Sequence, residues 1–284
     1  MITVFSNNQE IQVNRLQFSD GALTFKLEDM PKDARYISIK VCPTTPVYLI
    51  REELLLIAEC IWELVQEEHF NTNVPMYLDL PYLPYARADR KFEHGNPVPL
   101  HSFLATLEEI AGFDEIHICD IHNKSAVTGF DLNIIEKSQL ECFKSSLPQD
   151  FSTKYDLVLA PDKGSVDKAK SIAEHLEIPV HNCGKERDVT TGKIIRSTLP
   201  EGVDFSGKTV LIPDDLCDGG YTFIKLAEQL KEVGAKQVDL YVTHLIASKG
   251  LDVFKGLVDN IYCHHTVSSY VNREDVWRYN ESNK

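Results

Sequence analysis

Residues 210–223, VLIPDDLCDGGYTF, place three aspartates beside a glycine-rich turn. Asp214 and Asp215 follow an apolar run, and carboxylates accept hydrogen bonds, so the pair suits the two vicinal hydroxyls of a ribose. The residues that follow can wrap backbone N–H groups around a phosphate at the start of a helix; they are Asp218, Gly219, Gly220, Tyr221 and Thr222. An acidic surface turn, with Asp218 or Thr222 capping the helix, is equally compatible with this stretch.

Polar segments also follow other apolar runs of the chain. In open parallel sheets, ligands bind beyond the carboxyl ends of the strands, so these segments are candidate contacts for a phosphate-handling enzyme. Arginine in particular suits phosphate oxygens, because its guanidinium presents a fork of donors. Taken singly, each of these residues is also typical of surface salt bridges and turns. The candidates are Arg87, Asp89 and Arg90 in PYLPYARADRK, His122 in DIH, Asp162 in PDKGS, and Lys185 and Arg187 in GKERD.

The elements that position these segments alternate between strand-like and helical patterns. Such alternation predicts βαβ units and mostly parallel sheets flanked by helices, an α/β fold. Gly112 and Gly234 stand where helices end. The predicted strands are 36–41, 76–80, 116–120, 157–160, 209–212 and 238–245, and the predicted helices are 52–68, 102–112, 167–176 and 223–235.

The two halves of the chain share one pattern of elements. IAGFDEIHICDIH and KEVGAKQVDLYVTHL each read as a helix end, a glycine, a turn, an apolar strand and a histidine. The polar stretch 146–156, which carries Pro148, separates them. We therefore predict two similar α/β domains, 1–147 and 148–284.

The bulk composition restricts the function classes. The 284 residues carry a net charge of −14, which disfavours nucleic acid as a partner. Seven cysteines without close pairs indicate reduced thiols in a cytoplasmic protein. We see no signal peptide at the N-terminus and no run of 18 apolar residues, and so predict no membrane association.

Together with residues 210–223, five further segments resemble the ribose-phosphate pyrophosphokinase family. They occur in the family's order and are RLQFSDGALTFKLED (15–29), PYLPYARADRK (81–91), residues 98–130 with their Asp-x-His and closing Gly-Phe, APDKGSVDKAK (160–170) and GKERD (184–188). The resemblance implies two type I phosphoribosyltransferase-like domains. The first would bind ATP and the second the ribose phosphate.

The resemblance also implies a reaction and roles for single residues. The family transfers the β,γ-diphosphate of ATP to the anomeric hydroxyl of ribose 5-phosphate, giving PRPP and AMP. Mg²⁺ and ATP are implied as cofactor and co-substrate, small molecules as the partners, and a homo-oligomer, a dimer or an assembly of dimers, as the working form. The implied ATP contacts are Phe18, Asp20, Arg87, Asp89 and Arg90. Lys185 and Arg187, from a mobile loop, and His122 are implied in catalysis. His122 and Asp162 are implied near magnesium.

Two positions of the phosphate segment depart from the family pattern. Gly219 replaces a threonine and Tyr221 replaces a glycine, which removes a hydroxyl donor and adds a ring. One hypothesis is that the acceptor is a 5′-substituted ribose phosphate such as ADP-ribose, with Tyr221 against the extension. The alternative is ordinary ribose 5-phosphate. Ala22 and Ala88 also replace family residues near adenine, so we expect the adenine contacts to differ. Residues 91–99 lack expected basic residues, and we therefore expect weak or absent regulation by ADP and phosphate.

Three other functions compete with this interpretation. A phosphoribosyltransferase would need one α/β unit and no PYARADRK segment. A non-catalytic binding or regulatory relative should have lost Lys185 and Arg187. A simple nucleotide-binding module would lack the paired acids at 214 and 215.

Overall fold

The computed structural model describes residues 1–28, 30–66, 74–110, 112–147, 154–187 and 194–282. Contacts divide the chain into two compact units, Met1–Lys137 and Ser138–Lys284. This division lies ten residues before the sequence-based boundary after residue 147. The helix at Gln139–Ser146 packs against elements of the second unit, which accounts for the difference.

The described residues of the first unit form one seven-stranded sheet and two α-helices. The sheet has the order β3-β2-β1-β4-β5-β6-β7, antiparallel from β3 to β4 and parallel from β4 to β7. Its elements in chain order are β1 (Ile2–Ser6), β2 (Gln9–Gln17), β3 (Leu23–Glu28), β4 (Ile37–Val41), α1 (Val47–Gln66), β5 (Met76–Asp79), α2 (Pro99–Ile110), β6 (Phe113–Cys119) and β7 (Ile134–Lys137).

The antiparallel strands at the start of the first unit were not predicted. Asn7 and Asn8 join β1 to β2 with φ values of 51° and 67°. A two-residue turn with both φ values positive matches the right-handed twist of a hairpin, and asparagine tolerates it better than most residues. One face of β2 and β3 carries Gln12, Asn14 and Lys26, and Arg15 interrupts the apolar face opposite, which hides the pattern of these strands.

Helix α1 covers the sheet of the first unit with one apolar face. Ile50, Leu54, Ile57, Ala58 and Ile61 are all buried, at spacings of three and four residues. This spacing places them along one side of a helix, where they join a core shared with the strands. The helix begins five residues before the predicted start at 52.

The second unit contains a five-stranded, fully parallel sheet with the order β14-β13-β12-β8-β9. A separate antiparallel ribbon joins β10 to β11. The elements are α3 (Gln139–Ser146), β8 (Leu157–Ala160), α4 (Val166–Leu176), β9 (Val180–Asn182), β10 (Gly184–Arg187), β11 (Ile194–Thr198), β12 (Thr209–Cys217), α5 (Tyr221–Glu232), β13 (Gln237–Leu245), β14 (Asn260–Thr266) and α6 (Arg273–Ser282).

Both faces of the second sheet are covered. Val210 and Ile212 of β12 belong to the core that includes α5 and α6, whereas Leu211 belongs to the core that includes α3 and α4. Successive side chains of a strand point to opposite faces, so a strand buried on both sides is apolar at every position. That is why VLI was recognisable as a strand from the sequence.

Several predicted bounds shift in the second unit. β12 continues five residues beyond its predicted end at 212, to Cys217, and so includes Asp214 and Asp215. Helix α5 begins at Tyr221 rather than 223. The prediction that the acid pair follows the strand is therefore wrong: parallel pairing with β13 continues through Cys217.

Candidate active site

The acid pair lies in the carboxyl half of the central strand β12. Asp214 is partly buried and Asp215 is only 8% exposed. The backbone N–H of Asp215 donates to Asp214 Oδ1 over 2.9 Å. Because β12 pairs with parallel strands on both sides, the segments that follow β8 and β13 lie at the same edge of the sheet.

Asp162 belongs to the turn that follows β8 at this edge. Its Oδ1 accepts from the backbone N–H groups of Gly164, at 2.8 Å, and Ser165, at 3.1 Å. Ser165 Oγ in turn donates to the Asp162 carbonyl over 3.0 Å. These bonds hold the Asp162 carboxylate in a fixed turn before α4.

The three acids interact electrostatically. Burial raises the pKa of Asp214 well above its ordinary value, and the charges of Asp215 and Asp162 raise it further, against the hydrogen bond from the Asp215 backbone. Such a group is stabilised in its ionised form by hydroxyl donors or by a cation. The geometry thus suits a polyhydroxyl ligand, a divalent ion, or both.

Lys168 was missed by the sequence analysis. It lies in the first turns of α4, and its Nζ is 4.0 Å from Asp215 Oδ2, with 21% and 11% of the two side chains exposed. Its position could have indicated it, because Lys168 lies six residues after Asp162, in the helix that follows the same loop. It supplies positive charge beside the acids.

Gly220 shapes the segment between β12 and α5. Its φ is +76°, and a Cβ there would overlap with the ring of Phe254, which is fully buried. Only glycine fits both conditions. Gly220 is also the N-cap residue of α5, and it has no side chain with which to cap this helix. Because the N-cap is Gly220, the interpretation of Asp218 or Thr222 as the N-cap residue is wrong.

The two positions that depart from the family pattern lie at the mouth of this segment. Tyr221 is the first residue of α5 and is 67% exposed. Gly219 lies against the side chain of Lys249, whose Cε would be 3.5 Å from a Cβ at position 219. Lys249 follows β13, so the rule of reading strand ends could have found it.

In the first unit, the candidate cations lie in the segment between β5 and α2. Arg87 and Arg90 are exposed, and the Arg90 guanidinium lies 5.8 Å from the centroid of the Phe92 ring. Asp89 accepts a hydrogen bond of 2.6 Å from Asn123 Nδ2. Since Asn123 follows β6, this bond joins the segments after two neighbouring parallel strands.

His122 precedes Asn123 and is exposed. The preceding Asp120 has a φ of +47° and is 2% exposed, and its N–H donates to the Lys137 carbonyl over 2.9 Å. The Ile121 N–H donates to Glu136 Oε1 over 3.1 Å. The structure therefore brings His122 near the Arg87–Arg90 segment, both at the carboxyl edge of the first sheet.

Phe18 and Asp20 occupy the turn between β2 and β3. The Phe18 side chain is 53% exposed. Phe18 N–H donates to the Ala22 carbonyl over 2.8 Å, and Asp20 Oδ1 accepts from the Ala22 N–H over 3.0 Å. The turn thus presents an exposed aromatic ring, and its role towards adenine stays a prediction.

Lys185 and Arg187 lie on β10, paired with β11. The described structure covers their backbone but not their side chains, and residues 188–193, which hold the predicted mobile loop, lie outside the described residues. Their catalytic role stays a prediction.

Known proteins are similar to this chain in sequence and in architecture. The Phosphoribosyl transferase domain model matches residues 140–268. A ribose-phosphate pyrophosphokinase of Pyrococcus abyssi is 29% identical over 274 residues, covering 95% of this chain and 89% of the relative. One of Sulfurisphaera tokodaii is 31% identical over 194 residues, covering 68% and 62%.

The chain belongs to the ribose-phosphate pyrophosphokinase family. A crystal structure of phosphoribosylpyrophosphate synthetase from Mycobacterium smegmatis shares its fold, with a TM-score of 0.71 and 20% identity over 88% of this chain and 79% of that one. The predicted family, α/β fold and enzyme class are confirmed. No helix among the described residues of this pyrophosphokinase-family chain has the length and apolar character to cross a membrane.

Proposed function

We propose that this protein transfers the β,γ-diphosphate of ATP to the anomeric hydroxyl of a ribose 5-phosphate moiety. The hydroxyl oxygen bonds to the β-phosphorus, the bond between the α,β-bridging oxygen and that phosphorus breaks, the hydroxyl proton is released, and AMP leaves. The observation that carries the proposal is the cluster of Asp162, Asp214 and Asp215 in the unit where α5 begins at the glycine N-cap Gly220.

The acceptor side of the reaction follows from this cluster. Carboxylates of the acid pair accept hydrogen bonds from the vicinal hydroxyls of a ribose. The backbone N–H groups at the start of α5 suit the 5-phosphate of the same sugar. One ligand that carries a diol at one end and a phosphate at the other satisfies both features.

The ATP side rests on the first unit. Arg87 and Arg90 supply exposed cations for the triphosphate, and Asp89 and His122 lie at the same edge of that sheet. Phe18 and Asp20 are proposed for adenine. Phosphoryl transfer depends mainly on positioning and on charge stabilisation, which cations of this kind supply.

Magnesium fits the donor set of the second unit. Mg²⁺ prefers carboxylate and phosphate oxygens, and the clustered carboxylates of Asp162, Asp214 and Asp215 offer the former. When bound, the ion offsets the negative charge of the transferred phosphates. We propose Asp162 as a holder of the ion and His122 as a phosphate contact, since imidazole suits Mg²⁺ poorly.

A 5′-substituted acceptor such as ADP-ribose is the second candidate. The exposed ring of Tyr221 and the bare backbone of Gly219 support it, because both favour a phosphate that continues outward into a second group. A flat ring at this place suits stacking on an extension such as adenosine. Ribose 5-phosphate is supported by the names of the relatives.

Two further properties are proposed from the family. We infer a homo-oligomer, a dimer or an assembly of dimers, and weak regulation by ADP and phosphate. Sedimentation of the purified protein tests the first. A titration with ADP that showed strong inhibition outside the ATP site would overturn the second.

The reaction is tested by incubating the protein with ATP, Mg²⁺ and either ribose 5-phosphate or ADP-ribose. We expect acceptor-dependent release of AMP and a product heavier by one diphosphate, identified by mass spectrometry. Lys185→Ala should lower the rate about a hundredfold or more, because it removes charge stabilisation in the transition state.

Lys208→Ala is the matched control. Lys208 is a surface lysine of the same unit, 3.7 Å from Asp156, and its loss should leave the rate unchanged. No AMP release by the wild-type protein with either acceptor would contradict the proposed reaction. An unchanged rate in Lys185→Ala would remove only Lys185 from the mechanism.

A further inference from the structure

The turn after β13, residues 246–250, is tied to the end of β12. The N–H groups of Ile246 and Ala247 both donate to the carbonyl of Cys217, over 2.8 and 3.2 Å. On its other side, Ser268 Oγ donates to the Ile246 carbonyl over 2.7 Å. The turn is therefore held directly beside the first residues of the phosphate segment, 218–222.

The conformation of this turn is unusual. Ala247 has a φ of +47°, is fully buried, and accepts a hydrogen bond of 2.8 Å from Gly250 N–H. A non-glycine residue keeps a left-handed conformation only where its surroundings over-determine it, and such residues concentrate at functional sites. The strained conformation of Ala247 indicates that the turn has a fixed conformation, and Lys249 projects from this turn.

Lys249 packs its aliphatic stem against Gly219. A Cβ at position 219 would lie 3.5 Å from Lys249 Cε and 3.7 Å from Cδ. The lysine is exposed, and its ammonium makes no hydrogen bond or ion pair with any other residue in the described part of the chain. A cation is thus held beside Gly219, one of the two positions of the phosphate segment at which the chain offers only backbone.

We propose that Lys249 is an acceptor-binding residue that pairs with the 5-phosphate group of the acceptor. The inference rests on the proposed function, because it takes residues 218–222 as the holder of that phosphate. Gly219 contributes no side-chain donor there, and the ammonium of Lys249 supplies a full charge in its place. A compact charge on a flexible stem accommodates either a phosphate monoester or a phosphate that continues into a second group.

Lys249→Met tests this, because methionine keeps an aliphatic stem beside Gly219 and removes the charge. We expect the KM for the acceptor to rise about tenfold or more, with the kcat and the KM for ATP unchanged, as for the loss of one charged contact made equally in ground and transition states. Ribose 5-phosphate and ADP-ribose are assayed separately, and the rise is expected for each acceptor that is turned over.

Lys255→Met is the matched control. Lys255 is an exposed lysine close in sequence, paired with Asp252 at 2.7 Å, and its variant should keep the wild-type KM for the acceptor. Gly219→Thr in the Lys249→Met background gives the rescue. Position 219 does not have a positive φ, and it has room for a Cβ. The added threonine hydroxyl should therefore lower the raised KM for the acceptor at least about threefold.

An acceptor KM within about twofold of wild type in Lys249→Met would overturn the inference. If the wild-type protein turns over neither acceptor, the proposed function fails while the inference is still tested. Calorimetric titration with ribose 5-phosphate and with ADP-ribose then decides. Binding weakened about tenfold in Lys249→Met supports the phosphate contact, and equal binding, or none to either protein, refutes it.

Discussion

The two ends of the second sheet both bury aspartates, but in opposite surroundings. At the amino end, the fully buried Asp239 accepts hydrogen bonds from Tyr155 OH at 2.9 Å, Gln237 Nε2 at 2.9 Å and Asn260 Nδ2 at 3.0 Å. At the carboxyl end, Asp214 has other carboxylates as neighbours. One carboxylate is surrounded by donors and the other by like charge.

The pKa shifts express this difference. Burial raises the pKa of both groups, but at Asp239 the three donors act against the rise, whereas at Asp214 the charges of Asp215 and Asp162 add to it. A carboxylate satisfied by the protein contributes to the fold. A carboxylate crowded by other acids is costly to the fold and is suited to binding donors or cations. The amino end is thus suited to stability, and the carboxyl end is suited to the binding that we propose for it.

The largest effect on stability is expected at the amino end. Asp239→Ala should lower the free energy of unfolding by about 3 kcal/mol, because it leaves three donors without their acceptor in the interior. Urea denaturation followed by circular dichroism measures this. The rate of AMP release per folded molecule should stay at the wild-type level, since Asp239 lies near the amino end of β13, away from the carboxyl edge of the sheet.

Tyr155→Phe is the graded control for this prediction. It removes one of the three donors and keeps the ring, so it should lower the free energy of unfolding by about 1 kcal/mol. A loss below about 1 kcal/mol for Asp239→Ala itself would show that the network does not stabilise the fold.

The sequence predicted the carboxyl end far better than the amino end. Residues that follow apolar strands are contiguous in the chain, so PDDLCDGGYT and PDKGS were visible as candidates. The donors of Asp239 come from positions 155, 237 and 260, and only the folded sheet brings them together. Within VDLYVTHL, Asp239 reads as an isolated charge.

A smaller effect of opposite sign is expected at the carboxyl end. Asp214→Asn should raise the free energy of unfolding at neutral pH by about 1 kcal/mol, because it removes a charge that burial and two acids disfavour. The pKa of Asp214 in the folded state lies above its value in the unfolded state. At a pH between these two pKa values, the folded state therefore holds a proton that the unfolded state has released. Wild-type stability therefore falls as pH rises through that window, and the variant escapes this loss.

Urea denaturation at several pH values checks the sign. The advantage of Asp214→Asn should be full above the raised pKa and should disappear as pH falls towards the ordinary carboxyl value of about 4. Asp252→Asn, which changes an exposed aspartate paired with Lys255, should show no such pH dependence. An Asp214→Asn protein less stable than wild type at neutral pH would contradict the conclusion that the charge of Asp214 destabilises the carboxyl edge of the sheet.

Other parts of the site were beyond the sequence for identifiable reasons. Asp214 and Asp215 were expected after the strand, because polar residues do not extend an apolar run, yet pairing with β13 carries β12 through them. Gly220 could be read as a turn residue, but its need to lie against Phe254 depends on a contact 34 residues along the chain. Lys249 was accessible to the same strand-end reasoning that found Asp162.

The central claim is that the carboxyl-edge acids hold the sugar of the acceptor. Its most direct test is acceptor-dependent AMP release by Asp215→Asn, measured beside its unfolding curve. We predict a fall in kcat/KM for the acceptor of about a hundredfold in a protein that unfolds cooperatively like the wild type, since two charge-assisted hydrogen bonds are weakened. A folded Asp215→Asn protein with the wild-type kcat/KM would contradict the claim.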